Sequence, residues 1–154
     1  VTAATTRVAF DEVNTLVGKD LGHSDWIEVT QERINTFADA TGDHQWIHVD
    51  EEKAKEGPFG GTISHGYLTL SLLIPLWTDL LDVGDVSTKV NYGLNKVRFP
   101  SPVRAGSRVR LTGRLARVEE VGGGGLQLTA DLVVEIEGQD KPACVAQPVF
   151  RFYA

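Results

Sequence analysis

The chain has 154 residues, 42% of them hydrophobic, with a formal net charge of −6 and a pI near 5.1. This is enough chain for one globular domain with its own core, and the acidic balance excludes a nucleic-acid backbone as the main partner while leaving room for a small anion held by a local basic patch. The single cysteine, Cys144, excludes an intrachain disulfide and any multi-cysteine metal site; flanked by Ala143 and Val145, it reads as a buried, inert thiol.

Residues 1–154 read as one domain, with no internal repeat and no low-complexity linker. Pro75, Trp77, Thr78 and Asp79 interrupt the best apolar run, so no membrane span is expected. The N-terminus has no basic region followed by an apolar block, so no signal peptide is expected and a cytoplasmic enzyme is the default. The chain does not begin with Met, which leaves N-terminal processing open.

In chain order, residues 23–29 predict a short strand. Thr30 caps a helix through about Ala40, with Ile34, Phe37 and Ala38 on one face and Gly42 as the stop. Asp50 caps a short helix through about Glu56, ended by Gly57-Pro58. Gly60-Gly61 gives a flexible approach to Ser64. The stretch from Gly66 to about Leu81 is apolar nearly all round, which predicts a buried helix that Pro75 should kink.

The C-terminal half predicts strands at 86–99, 107–119, 126–138 and 143–153. Leu126, Leu128, Ala130, Leu132, Val134 and Ile136 alternate with Gln127, Thr129, Asp131, Val133, Glu135 and Glu137. Upstream, Val109, Leu111 and Leu115 alternate with Arg108, Arg110, Thr112 and Arg114, and the run Gly122–Gly125 reads as the hairpin loop between them. One register sets Arg108 opposite Glu137, Arg110 opposite Glu135 and Arg114 opposite Asp131; a slip of two residues breaks two of these pairs. The arginines are therefore expected on a solvated sheet face rather than at an anion site. The fold class is α+β, an antiparallel sheet wrapped around a long central helix, and its open edge predicts a homodimer.

The chemistry sits in two segments. Asp43 and His48 stand five apart just after the first helix, and Ser64-His65-Gly66 opens the apolar one. An acid, an imidazole and a helix N-terminus are the parts needed to add or remove water next to a thioester carbonyl. Taken alone, Asp43 also reads as a post-helix turn residue and His48 as a loop histidine with satisfied hydrogen bonds. Ser64 reads as an N-cap rather than a nucleophile, and His65 either lines the site or braces the helix start. His23 and His44 are expected to be exposed and without a role. The histidines and the cysteine do not recur at metal-ligand spacings, so no metal is expected.

Several motifs together resemble the MaoC-like hot-dog family, the (R)-specific enoyl-CoA hydratases. They are Phe37-Ala38-Asp39-Ala40-Thr41-Gly42-Asp43, His48-Val49-Asp50, Phe59-Gly60-Gly61-Thr62-Ile63-Ser64-His65-Gly66 and Lys96-Val97-Arg98-Phe99-Pro100-Ser101-Pro102-Val103, within residues 20–153. The resemblance implies a hot-dog fold and reversible syn addition of water to a trans-2-enoyl-CoA, giving an (R)-3-hydroxyacyl-CoA. It implies that Asp43 and His48 hold the water and that the Gly66 N–H binds the thioester oxygen. Gln45, Ser64, His65 and Arg98 are the candidates for substrate contact, with Lys96, Arg98 and Arg104 as candidates for the coenzyme A phosphates. Where many relatives carry Asn-Pro, this chain has Gln45-Trp46, which puts the role of Gln45 and the acyl-chain preference in question. No cofactor is expected beyond the coenzyme A of the substrate. The rival readings are a dehydratase acting on 3-hydroxyacyl groups of an acyl carrier protein, a hot-dog thioesterase, and a non-catalytic subunit that shapes a partner's acyl tunnel. An intact Asp43–His48 pair weighs against the last.

Overall fold

Alternating apolar positions build a sheet, and the apolar run at 66–80 fills its concave side; the computed structural model describes residues 4–154 of this arrangement. The elements in chain order are β1 (Thr6–Val8), a 3-10 helix (Phe10–Leu16), β2 (Asp20–His23), β3 (Ile27–Glu28), α1 (Gln31–Thr41), α2 (Trp46–Val49) and α3 (Glu51–Lys55). They continue with α4 (Gly66–Ser71), α5 (Leu73–Leu80), β4 (Leu81–Val83), β5 (Thr88–Arg98), β6 (Arg108–Val121), a 3-10 turn (Gly122–Gly124), β7 (Gly125–Ile136) and β8 (Cys144–Tyr153). The main sheet runs β2-β6-β7-β8-β5, with β3 also on β6, and all its pairings are antiparallel. β1 and β4 form a separate parallel pair.

The β6–β7 hairpin adopts the register that charge pairing selects. Arg110 faces Glu135 and Arg114 faces Asp131, and the Arg108 guanidinium reaches Glu137 at 3.0 Å. Arg110 Nε donates to Glu135 at 2.6 Å and its guanidinium lies 4.4 Å from the ring centre of Trp26. These arginines line the outer face, as expected; Arg108 and Arg110 are paired with carboxylates, and Arg110 also lies over an indole. The opposite face carries Val109, Leu111, Leu115, Leu128, Ala130, Leu132, Val134 and Ile136, all buried against Leu68, Leu72, Leu73, Leu76, Trp77 and Leu80. Burial of this set is the main driving force for the fold.

Pro75 acts where expected. It has no N–H for the Ser71 carbonyl and its ring crowds that oxygen, so the rod divides into α4 and α5 at Leu72. The rod is not buried all round, however: Tyr67 is 71% and Ile74 37% exposed, because the sheet covers only one side of it. The strand expected at 23–29 is broken. Gly22 takes φ +80°, and the Ser24 hydroxyl accepts from the Leu111 N–H where a ladder carbonyl would stand, so pairing stops and restarts as β3. β1, β4, the first 3-10 helix and α2 carried no periodic signal of their own.

Candidate active site

α1 ends as its sequence dictates. Thr30 Oγ1 caps the Arg33 N–H and Gly42 takes the left-handed conformation at φ +82°. The chain then turns through Asp43 and His44 into the single turn of α2, which places His48 inside. His48 is 6% exposed, and its Nδ1–H donates to the Ile63 carbonyl at 2.7 Å. A carbonyl can only accept, so Nδ1 carries the proton and Nε2 presents a lone pair. Burial pushes the His48 pKa below its ordinary value; the bond to Ile63 opposes this, the neighbouring His65 adds to it, and Asp43 opposes it.

His65 stands next to this ring. The two imidazoles stack with centroids 3.9 Å apart and planes at 23°, and Phe37 lies against His65 at 4.8 Å. His65 Nε2–H donates to the backbone carbonyl of Asp43 at 2.9 Å. The Asp43 carboxylate remains exposed and, among the described residues, accepts a long contact from the Gln45 N–H at 3.4 Å. One polar side-chain atom from each of Asp43, His48 and His65 falls within 4.8 Å of the others. Two hydrogen bonds of about 2.8 Å meeting at a water span up to a similar distance, so a spacing of this size is one that a shared water can bridge. A metal fits less well. Nitrogen lone pairs lie in the ring plane, and two nearly parallel rings direct theirs side by side instead of at one point.

Gly66 is the first residue of α4, so the helix's own ladder does not use its N–H. It borders a pocket of 300 Å³ formed with Ile63, Ser64, Thr69, Phe99 and Val103 among others. Ser64 is not the cap expected of it. Its N–H still donates to Val103 in an extended segment, its hydroxyl donates to the His65 carbonyl, and His65 occupies the cap position without a side-chain bond.

The remaining candidates scatter. Gln45 is exposed and starts α2 through its backbone. Trp46 turns away, with Lys53 Nζ 4.6 Å from its ring centre and Gly57 against its edge, so the departure from Asn-Pro is absorbed by the α3 turn. Arg98 is exposed and donates to the adjacent Val97 carbonyl; Arg104 donates to Gly60 at 2.9 Å. Lys96 lines an outer-face groove with Asp20 and Arg114. His44 is exposed but not idle, pairing with Asp39 at 2.9 Å. Gln31 carries no motif or periodic signal that points to the site. Its Nε2 donates to the His48 carbonyl at 2.7 Å while its Oε1 accepts from the Thr62 hydroxyl. One amide thus ties the His48 turn to the strand that holds the His48 ring.

A sheet curled around a helix is the hot-dog fold, and near the start of that helix an acid stands beside a buried imidazole. Residues 12–135 match the family described as MaoC like domain, and the chain belongs to that family of dehydratases. It is 56% identical over 137 residues to 3-hydroxyacyl-thioester dehydratase Z of Mycobacterium tuberculosis, covering 89% of this chain and 91% of that protein. It is 47% identical over 142 residues to nodulation protein N of Rhizobium leguminosarum bv. viciae, covering 91% and 88%. An (R)-hydratase from A. caviae shares the fold at a TM-score of 0.67 and 20% identity, over 87% of this chain and 94% of that one. Among the described residues, no helix is long and apolar enough to cross a membrane.

Proposed function

We propose that this chain is an (R)-specific enoyl-CoA hydratase, interconverting trans-2-enoyl-CoA and (R)-3-hydroxyacyl-CoA as a single-domain, cytoplasmic homodimer. The observation that carries the reading is the clustering of Asp43 and His48 side-chain atoms within 4.8 Å, a spacing a shared water can bridge, beside the start of the helix that begins with Gly66. The similarity to a 3-hydroxyacyl-thioester dehydratase supports the same chemistry in its reverse direction.

In this reading the water donates one hydrogen to His48 Nε2 and one to Asp43. Its oxygen bonds to the β-carbon while one of the two bases takes a proton. The electron pair of the alkene moves to the thioester oxygen, where the Gly66 N–H and the helix dipole stabilise the enolate. The base then returns the proton to the α-carbon on the same face, which makes the addition syn. Dehydration runs the same steps backwards.

The dimer is supported by β5. Among the described residues it pairs only with β8, and its other edge is open along an exposed strand that shows Val90, Tyr92 and Leu94 to solvent. Arg98 and Arg104 are the proposed phosphate contacts of the coenzyme A.

The test is incubation with crotonyl-CoA, following enoyl absorbance and free thiol together. The absorbance should fall without thiol release, and chiral analysis should give the (R) product. Stoichiometric thiol would instead make this a thioesterase. Much faster turnover of a crotonyl group on an acyl carrier protein would move the substrate to that carrier.

A further inference from the structure

We propose that His65 is the positioning residue of this site, one ring that orients the His48 imidazole and the Asp43 loop together; the proposal rests on the reading of Asp43 and His48 as the catalytic pair. Three contacts carry it. The stack on His48, at 3.9 Å, blocks tilting of that ring, while the 2.7 Å bond to Ile63 blocks its rotation in plane. Together they leave Nε2 a single direction. The third contact, from His65 Nε2–H to the Asp43 carbonyl, sets the loop that carries the carboxylate.

His65 is suited to this and not to holding substrate. It is 2% exposed, with Phe37 and His48 against its ring. Its one N–H is spent on Asp43, because the carbonyl can only accept. Nδ1 is buried without a hydrogen-bond partner among the described residues. A hydrocarbon ring would give the stack without that unpaired nitrogen, so the Asp43 bond is what requires histidine here. His65 also precedes Gly66, so the same residue fixes the start of the helix whose first N–H faces the thioester in this reading. The titratable groups facing His48 are Asp43, from the loop after α1, and His65, from the segment ahead of α4; the Ile63 strand contributes a carbonyl.

Two variants separate the contacts. His65→Phe keeps a stacked ring and removes the N–H to Asp43. His65→Gln keeps an amide N–H and removes the ring. Each should lower kcat with crotonyl-CoA about ten- to hundredfold, the usual penalty for misplacing a reacting group by an ångström or so, with KM within about threefold of the parent. In both variants the acid limb of kcat/KM should also move up toward the ordinary imidazole value, since His65 no longer adds to the lowering of the His48 pKa; it should move further in His65→Gln, where water also gains one face of His48. Unchanged kcat in either folded variant, or a raised KM with kcat intact, overturns the proposal. The parent enzyme gives a test that needs no variant: nitrogen-15 spectra at mildly alkaline pH should show His65 as the Nε2–H tautomer and His48 as the Nδ1–H tautomer. The opposite tautomer at His65 overturns the Asp43 contact whatever the variants do. Failure of the catalytic pair itself would look different, as full activity in Asp43→Asn and His48→Gln.

Discussion

The ring of Phe99 closes over Gly66: a Cβ at residue 66 would come within 3.1 Å of two Phe99 ring carbons. Phe99 is itself 39% exposed and has room to yield. His65, just before, has φ −59° and ψ 140°, a conformation that a following proline accepts. Gly66→Pro should therefore fold, lose the N–H and fall about 10²–10³ in rate. Gly66→Ala keeps the N–H and displaces only Phe99, so it should lose less. Equal rates for a folded Gly66→Pro and the parent would remove Gly66 as the donor.

Asp43→Asn and His48→Gln should each cut turnover by roughly two to four orders of magnitude. Asp43 is exposed, so its variant should melt as the parent does. His48 is buried and bonded to Ile63, so its variant should also lose some stability. Steady-state rates alongside thermal melts separate the two effects.

Burial holds the His48 pKa below 6.5. The neutral ring is the form that accepts from water, so kcat/KM should stay level through neutral pH and fall only below 6.5. The sign for stability agrees. An unfolded His48 binds its proton first as pH falls through 6.5, so the fold loses stability from there down to the folded pKa and is unaffected above 6.5. His48→Gln should remove that part of the slope in denaturation measured against pH.

Gln31→Leu should slacken the tie between the His48 turn and Thr62. The His48 carbonyl and the Thr62 hydroxyl would each lose a partner, at about 1–3 kcal/mol for a buried group left unpaired. The melting temperature should drop, and kcat should fall more than KM rises. An unchanged kcat would limit Gln31 to a role in stability.

Charges on the open edge should separate the protomers. The parent should scatter light as a dimer at micromolar concentration, and Tyr92→Glu with Leu94→Lys should give a monomer with β5 still paired to β8. A monomeric parent would overturn the assembly proposed above.

What the sequence made legible followed from periodicity and charge. Alternation located β6 and β7, and charge pairing such as Arg110 opposite Glu135 set the register between them. Thr30 and Gly42 bounded α1 because capping is chemistry between near neighbours. The motifs singled out Asp43, His48 and Gly66, and the structure sets His65, the residue before Gly66, against the His48 ring. What stayed hidden depended on pairs far apart in the chain. Ser24 takes over a ladder bond from a residue 87 positions away, Gln31 reaches the His48 carbonyl across 17, and His65 Nε2 finds the Asp43 carbonyl across 22. No spacing rule announces such partners. The cap of α4 falls at His65, one residue after Ser64, because the extended backbone of Ser64 is held by Val103 from another part of the chain.

The arginine–carboxylate pairs on the outer face bear on how the chain folds. β6 and β7 are joined by a short glycine turn, so their meeting closes only a small loop and can come early. Two long alternating strands otherwise slide easily past one another in steps of two, since every such step again puts apolar residues on one side. Here each misaligned step strands two of the three arginines opposite Val133, Thr129 or Gln139, or past the end of the pairing. The charges thus work as a vernier. They add little to the finished protein, where surface pairs contribute about 0–1 kcal/mol, but they tell the growing hairpin which of several near-equivalent alignments to keep.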